Sequence, residues 1–286
     1  MCVLEKKIIK FREAIEQCIV KSGYINKDGL FKKSNNGHEA LGSFIRSQIP
    51  IGYIHEAIKE VFVQTYKIDE DRIYPPLGKS KPELKVVGKL KEKDQDICIV
   101  PNNINKALSS VSTYMGMKQD KLGISYLKHT LILNVRSQIV SIAKNTDTIL
   151  ERTFAEPVNL NLRDDEIILG EFFLLPISEI DISCARNNQK GYKNLSNYII
   201  EKYINFFTAI RDKENKTQNE KIVSYSECCL ILVDLSRDNP KIYKTTKELI
   251  DDGFVSDGFD KEISQLYFYN VIKNLYDKYL NIYSSD

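Results

Sequence analysis

Residues 3 to 22 place Val3, Ile8, Ile9, Ala14, Ile15 and Ile19 at helical spacing, and the run stops before Gly23. A polar stretch, INKDGLFKKSNNG, precedes a second predicted helix, HEALGSFIRSQI, with Pro50 closing it. A third amphipathic run follows in GYIHEAIKEVFVQTYKI. Then the period changes. ELKVVG, DICIV and TLILNV are short, apolar and rich in β-branched residues, as sheet strands are. Between the last two, SSVSTYMGMKQDKLGISYLKH reads as a loop or small helix. SIAKNTDTILERTFAEPVNLNLR has helical spacing until Pro157, and IILGEFFLLPISEID reads as a buried strand. NLSNYIIEKYINFFTAI is helical, the charged RDKENKTQNEK is a loop, and SECCLILVDLS is strand-like. The last predicted helix lies in EISQLYFYNVIKNLYDKYLNIY, with a Leu, Tyr and Phe stripe suited to core or dimer packing. This order predicts an α/β core in which helices pack on a mixed sheet, with helical N-terminal and C-terminal additions.

Composition narrows the class. With 286 residues, 42% hydrophobic and 28% charged, the chain is long enough for a sizeable core and unlike disordered or collagen-like sequences. No apolar run approaches a membrane span, and the charged opening MCVLEKKIIKFREAIEQCIV reads as an amphipathic helix instead of a signal peptide. The six cysteines form no CxxC pair and no zinc spacing with the three histidines, which fits reduced thiols in a cytoplasmic protein. His38, His55 and His129 are far apart in sequence and read as surface or capping residues. Net charge is only +2, yet residues 79 to 93, KSKPELKVVGKLKEK, hold six lysines against two glutamates. Such a segment suits a phosphate backbone or plain solvent. GKSKPELK lacks the spacing of a phosphate-binding P-loop, and no GxSxG elbow occurs, so ATP-driven chemistry and serine hydrolysis are unsupported.

One junction carries a chemical signal. In KEKDQDICIV, Asp94 and Asp96 stand at the mouth of an apolar strand. A carboxylate at the edge of a core is costly unless its charge is compensated, and a metal ion is one candidate.

GKLKEKDQDICIV followed by TLILNVRSQ resembles the catalytic core of the PD-(D/E)XK nucleases, in particular type II restriction endonucleases, over residues 37 to 175. The resemblance implies a restriction-endonuclease-like mixed sheet flanked by helices and a single nuclease domain over residues 1–286. Its parts would be a helical 1–70, a catalytic sheet core 71–185, and a helical 186–286 for recognition or dimerisation. It also implies Mg²⁺-dependent cleavage of double-stranded DNA, a homodimer, a cognate DNA methyltransferase in the same system, and no membrane association. Asp96 matches the metal-binding Asp; Asn134 and Arg136 stand where the family pattern has an acid and a lysine, followed by Ser137 and Gln138.

That departure matters, because an amide carries no charge and an arginine stays protonated. By analogy with relatives that relocate the acid, Glu151 on the following helix is the expected substitute, with Asp147 one turn earlier, and Glu39 is the early-helix acid. The expected metal ligands are therefore Asp96, Glu39 and Glu151, with Asn134 and the Cys98 carbonyl region completing the shell and Arg136 on the scissile phosphate. Glu83 and Lys85 spell an alternative E-x-K, ranked below Glu151. Expected DNA contacts are Lys85, Lys89, Lys91 and Gln138, with Arg186, Asn188, Gln189 and Lys190 in the loop ARNNQKGYKN. NNINK at 102–106 and STYMGMKQDK at 112–121 are further recognition candidates.

Overall fold

In the computed structural model, which describes residues 1–283, the chain begins with helix α1 (Val3–Val20) and a short hairpin, β1 (Gly23–Ile25) and β2 (Phe31–Lys33). Helices α2 (Gly37–Arg46) and α3 (Ile49–Gln64) follow. Then come β3 (Ile73–Tyr74), the hairpin β4 (Leu84–Val87) and β5 (Glu92–Gln95), and β6 (Ile97–Ile99). A second hairpin, β7 (Ser109–Thr113) and β8 (Gly116–Asp120), leads through α4 (Ile124–Lys128) to β9 (Leu131–Ser137). Helices α5 (Ile142–Thr153) and α6 (Ala155–Asn161) cross over to β10 (Leu169–Pro176). Next are β11 (Ser178–Ile180), α7 (Ile182–Arg186), β12 (Tyr192–Asn194), α8 (Asn197–Ile210) and α9 (Gln218–Lys221). The chain closes with β13 (Glu227–Asp234), β14 (Lys241–Ile242), α10 (Thr246–Asp251) and α11 (Phe268–Tyr283).

Six strands form the central sheet in the order β14-β13-β10-β9-β6-β3. Strands β9, β10 and β13 run parallel, while β6 is antiparallel to both β3 and β9, and β14 is antiparallel to β13. The mixed α/β architecture expected from the periodicity is therefore present. Parallel neighbours need long crossovers, and α5 with α6 supplies the one between β9 and β10.

Strand alternation divides the core in two. Leu131, Leu133 and Val135 of β9 join a cluster built by α1, α2, α3 and α11. Ile132 faces the opposite cluster, with Ile142 and Leu150 of α5 and Ile200, Tyr203 and Phe207 of α8. Phe268, Val271, Ile272, Leu275 and Tyr279 of α11 are buried in the first cluster, so the C-terminal apolar stripe is taken up by the protein's own core. Among the described residues, the stripe anticipated as a dimer interface is thus largely occupied within the chain itself.

Several local expectations need correction. Pro50 does not close a helix; it sits in the first turn of α3, where its missing N–H would have had no partner. Pro157 likewise lies in the first turn of α6. ELKVVG is a strand, but in a separate hairpin outside the central sheet. The segment read as a loop or small helix contains the β7–β8 hairpin as well as α4. All six cysteines are free thiols. Among the described residues no helix is long and apolar enough to cross a membrane.

Candidate functional site

Asp96 occupies a bend between β5 and β6, where the chain leaves the sheet for the outer hairpin. β6 pairs with β9 from Ile97 opposite Leu133 to Ile99 opposite Leu131. Beyond Ile97 the next backbone N–H of β9 facing this side, that of Val135, has lost its strand partner. The Asp96 Oδ2 accepts that hydrogen bond at 2.9 Å. A side chain thus completes the ladder that the backbone abandons, which supplies one physical reason for an acid at the mouth of the strand.

The same register aligns a polar row across the sheet. One step past the Ile97–Leu133 pair, Asp96 comes beside Asn134, and Asn134 is itself opposite Glu171 of β10. Asn134 and Glu171 are 1% and 0% exposed; the Asn134 amide atoms have no hydrogen-bond partner, while the Glu171 carboxylate makes no close hydrogen bond and is compensated by the neighbouring Arg136 guanidinium and Tyr225 hydroxyl. Orphaned buried polar atoms are rare and call for a water, an ion or a functional role. Burial pushes the Glu171 carboxyl up to about 7, against the opposing pull of the Arg136 guanidinium. The Arg136 Nε is 3.4 Å from Glu171 Oε1, and its Nη1 donates to the Arg152 carbonyl at 3.2 Å and the Thr153 hydroxyl at 3.4 Å. Beneath the row, buried Glu156 accepts from Gln95 at 2.9 Å and pairs with Lys93.

An open cleft of about 490 Å³ meets Asp96 from the α3 side. Glu83 lies one step beyond the Leu84–Gln95 pair of the hairpin, which brings it across from Asp96. His55 and Glu56 of α3 share the cleft wall with them, and Lys7, Lys10, Lys27, Lys79 and Lys81 surround it. Buried Lys59 donates to the Pro76 and Lys79 carbonyls at 3.0 Å each and pairs with Glu56 at 2.5 Å, which ties the cleft floor to α3. The His55 Nε2 is buried without a partner. Burial lowers the pKa of this imidazole, with the Asp96 charge acting in the other direction. His55 is therefore no surface or capping residue.

Other expected site residues are placed elsewhere. Glu39 caps its own helix region, accepting from the Asn35 side-chain amide at 2.9 Å. Glu151 is exposed on α5, and Asp147 pairs with Lys202 at 2.5 Å. Among the described residues no three His, Cys, Asp or Glu side chains stand close enough to hold a metal, so Asp96, Glu39 and Glu151 are not brought together. An α5 acid would need to turn toward the sheet, whereas the inward positions of that helix are Ile142, Thr146, Leu150 and Thr153.

The expected DNA contacts separate in the same way. Lys85, Lys89 and Lys91 lie on or beside the β4–β5 hairpin. Gln138 and Arg136 line a cavity of about 390 Å³ past the end of β9. In the 186–190 loop, Asn188 accepts from the Gly37 N–H at 2.8 Å and Lys190 lies 3.6 Å from Glu16, so these two brace α2 and α1. Arg186 and Gln189 are exposed.

At the opposite end of the parallel strands, a cavity of about 750 Å³ is lined by Lys213 and by Lys128, Lys221 and Lys278. Lys213 is only 3% exposed and is held by neutral oxygens, Asn161 Oδ1 at 3.2 Å and the Ile167 carbonyl at 2.5 Å. Burial pushes its ammonium down from 10.5 to about 8. The cost of burying that charge is in force below about 8 and disappears as pH rises to 10.5. The difference in unfolding free energy between Lys213→Met and the parent chain is thus expected to move in the parent's favour by up to about 3 kcal/mol between neutral and alkaline pH. Urea denaturation across that range checks this, and a difference independent of pH would contradict the buried charge.

Compared with protein-family models, with curated proteins and with solved structures, the chain matches none.

Proposed function

We propose that the protein is a Mg²⁺-dependent, site-specific DNA endonuclease of the restriction type, hydrolysing phosphodiester bonds in double-stranded DNA on a restriction-endonuclease-like fold. The observation that carries this reading is the row of oxygen donors Asp96–Asn134–Glu171, with the buried Asn134 amide unpartnered, opening at Asp96 onto a lysine-lined cleft. Carboxylate and amide oxygens are the donors a hard cation prefers, and Mg²⁺ needs only one or two carboxylates when phosphate oxygens and waters complete its shell. Asp96 and Glu171 would hold the ion, and Asn134 would add a neutral oxygen. A bound Mg²⁺ supplies Lewis acidity at the phosphoryl oxygen and an activated water.

The remaining chemistry belongs to the chain. Arg136 cannot act as a base, so its part is a charge-assisted grip on phosphate at the end of β9. His55 offers an unpartnered Nε2 in the cleft, and burial favours its uncharged form, which suits it to accept a proton from water. The cleft lysines hold the flanking phosphates. Replacing Lys10 and Lys79 together with alanine is expected to lower the slope of log K against log salt by about 2, as measured by filter retention of DNA at several salt concentrations. An unchanged slope would move the DNA away from this cleft. A palindromic target would call for a two-fold dimer, and a restriction role for a cognate DNA methyltransferase.

A second reading has one observation in its favour. Glu171 and Asn134 are closed off from solvent, and an arginine replaces the expected lysine, as suits a DNA-binding protein that no longer cuts. Incubating the protein with plasmid and phage DNA, in Mg²⁺ or in EDTA, separates the two. Discrete fragments that require Mg²⁺ support the nuclease; DNA retained but intact supports the binder.

A further inference from the structure

The β7–β8 hairpin carries an apolar tip. Its strands pair from Ser109 opposite Asp120 to Thr113 opposite Gly116, which leaves Tyr114 and Met115 as the two turn residues. Turn positions that face solvent more often carry polar residues. Here the tip is apolar and bare: Tyr114 is 74% exposed, Met115 73% and Met117 64%. The turn is nevertheless firmly built. Thr113 Oγ1 donates to the Gly116 carbonyl at 2.7 Å and accepts from the Met115 N–H at 3.1 Å, while Gly116 takes a positive φ of 98°.

The surroundings of the tip are cationic. The Tyr114 N–H donates to the Lys89 carbonyl at 3.0 Å, and the Lys89 ammonium donates to the Ser112 carbonyl at 3.2 Å. The apolar tip is thereby fastened to the end of the β4–β5 hairpin, the most lysine-rich segment of the chain, whose Lys85 and Lys91 are exposed. Apolar side chains presented by a rigid, cationic support match the chemistry of a nucleic-acid wedge: the cations grip phosphates while Met, Leu or aromatic groups enter a base step and unstack it. Glu83 and Asp96 lie at the other end of the same hairpin, a span of roughly 20 Å at strand spacing, or about six base pairs.

The geometry points to the Tyr114–Met117 turn as a wedge that inserts between base pairs of a bound duplex, a few base pairs from the Asp96 cleft. This rests on the DNA-binding part of the function proposed above. A wedge explains why large apolar side chains stand where a solvated turn would carry polar ones, and why they are braced by backbone hydrogen bonds.

Relaxed closed-circular plasmid, incubated with the full-length protein in EDTA and then treated with a metal-independent type I topoisomerase, reads unwinding wherever the protein binds. The expected result is a protein-dependent shift toward lower linking number. The triple variant Tyr114→Ser, Met115→Gln, Met117→Gln should lose that shift while still retaining plasmid on a filter. These positions are exposed, so the variant keeps its fold. Plasmid retained by the parent with no topoisomer shift overturns the wedge alone, as does an equal shift from the triple variant. A triple variant that sediments as a smaller species than the parent overturns it too, since the tip would then be a contact between copies. Absence of retention by the parent at low salt overturns both this inference and the DNA-binding reading beneath it.

Discussion

Asp96→Asn is expected to abolish Mg²⁺-dependent DNA cleavage, by about a thousandfold or more, while leaving DNA retention and thermal stability close to the parent's. The argument turns on what the substitution keeps. An asparagine oxygen can still accept the Val135 N–H that Asp96 Oδ2 accepts at 2.9 Å, so the sheet edge stays closed. What disappears is the negative charge that would hold the ion, and Lewis-acid stabilisation of several kcal/mol corresponds to a loss of that size. Glu171→Gln should produce a loss of similar order, because its carboxylate is the second charge in the same row. The double variant should be little worse than either single one, since groups that serve one ion fail together. Retention depends on the lysines and should survive in all three. Fragment yield on plasmid and phage DNA measures the effect, and undiminished cutting by both single variants would sink the assignment of the row.

The largest structural effect is expected at the base of the wedge hairpin. Asp120 is 1% exposed, pairs with the 7%-exposed guanidinium of Arg163, and accepts the Leu122 and Gly123 N–H groups at 2.9 and 3.1 Å. Asp120→Ala removes all of these at once. Arg163 would keep the Val87 carbonyl as partner but lose its counter-charge, and two buried amides would be left empty. Breaking a buried pair from one side typically costs about 3–5 kcal/mol. A lowered urea midpoint with an unchanged slope would record it. Stability within a few tenths of a kcal/mol of the parent, about what an exposed substitution causes, would contradict the burial described for this pair.

Much of the fold was legible because its signals are local. Helix α1 and strands β9, β10 and β13 follow from apolar spacing and length, and each lies close to its expected place. The misreadings have identifiable causes. Ser109–Asp120 alternates too weakly to be read as strands, because both faces of that hairpin are largely exposed. ELKVVG looks like a sheet strand from its apolar residues, yet only the bend at Asp96 decides that its partner is β5, outside the central sheet.

The candidate site was half legible. Asp96 is legible as an acid at the mouth of an apolar strand, whereas Asn134 and Arg136 stand out only through the family resemblance. Glu171 was overlooked inside IILGEFFLLP, where a single acid in a buried run should itself have been the signal. Glu39 and Glu151 were chosen by analogy of position along the chain, but which way a helical side chain faces depends on packing. His55 and Glu83 are joined to Asp96 only by the meeting of α3 with the hairpin, a relation that no spacing in the sequence records.

The bond from Asp96 to the Val135 N–H carries a consequence for how such a protein changes over generations. Because the structural duty of this residue needs only an oxygen, while the proposed duty needs a charge, one base change in an aspartate codon to asparagine would silence cutting without harming the fold. Under the proposed function, the path from a cutter to a protein that only occupies DNA would therefore be a single step long, with no refolding or compensating change in its way.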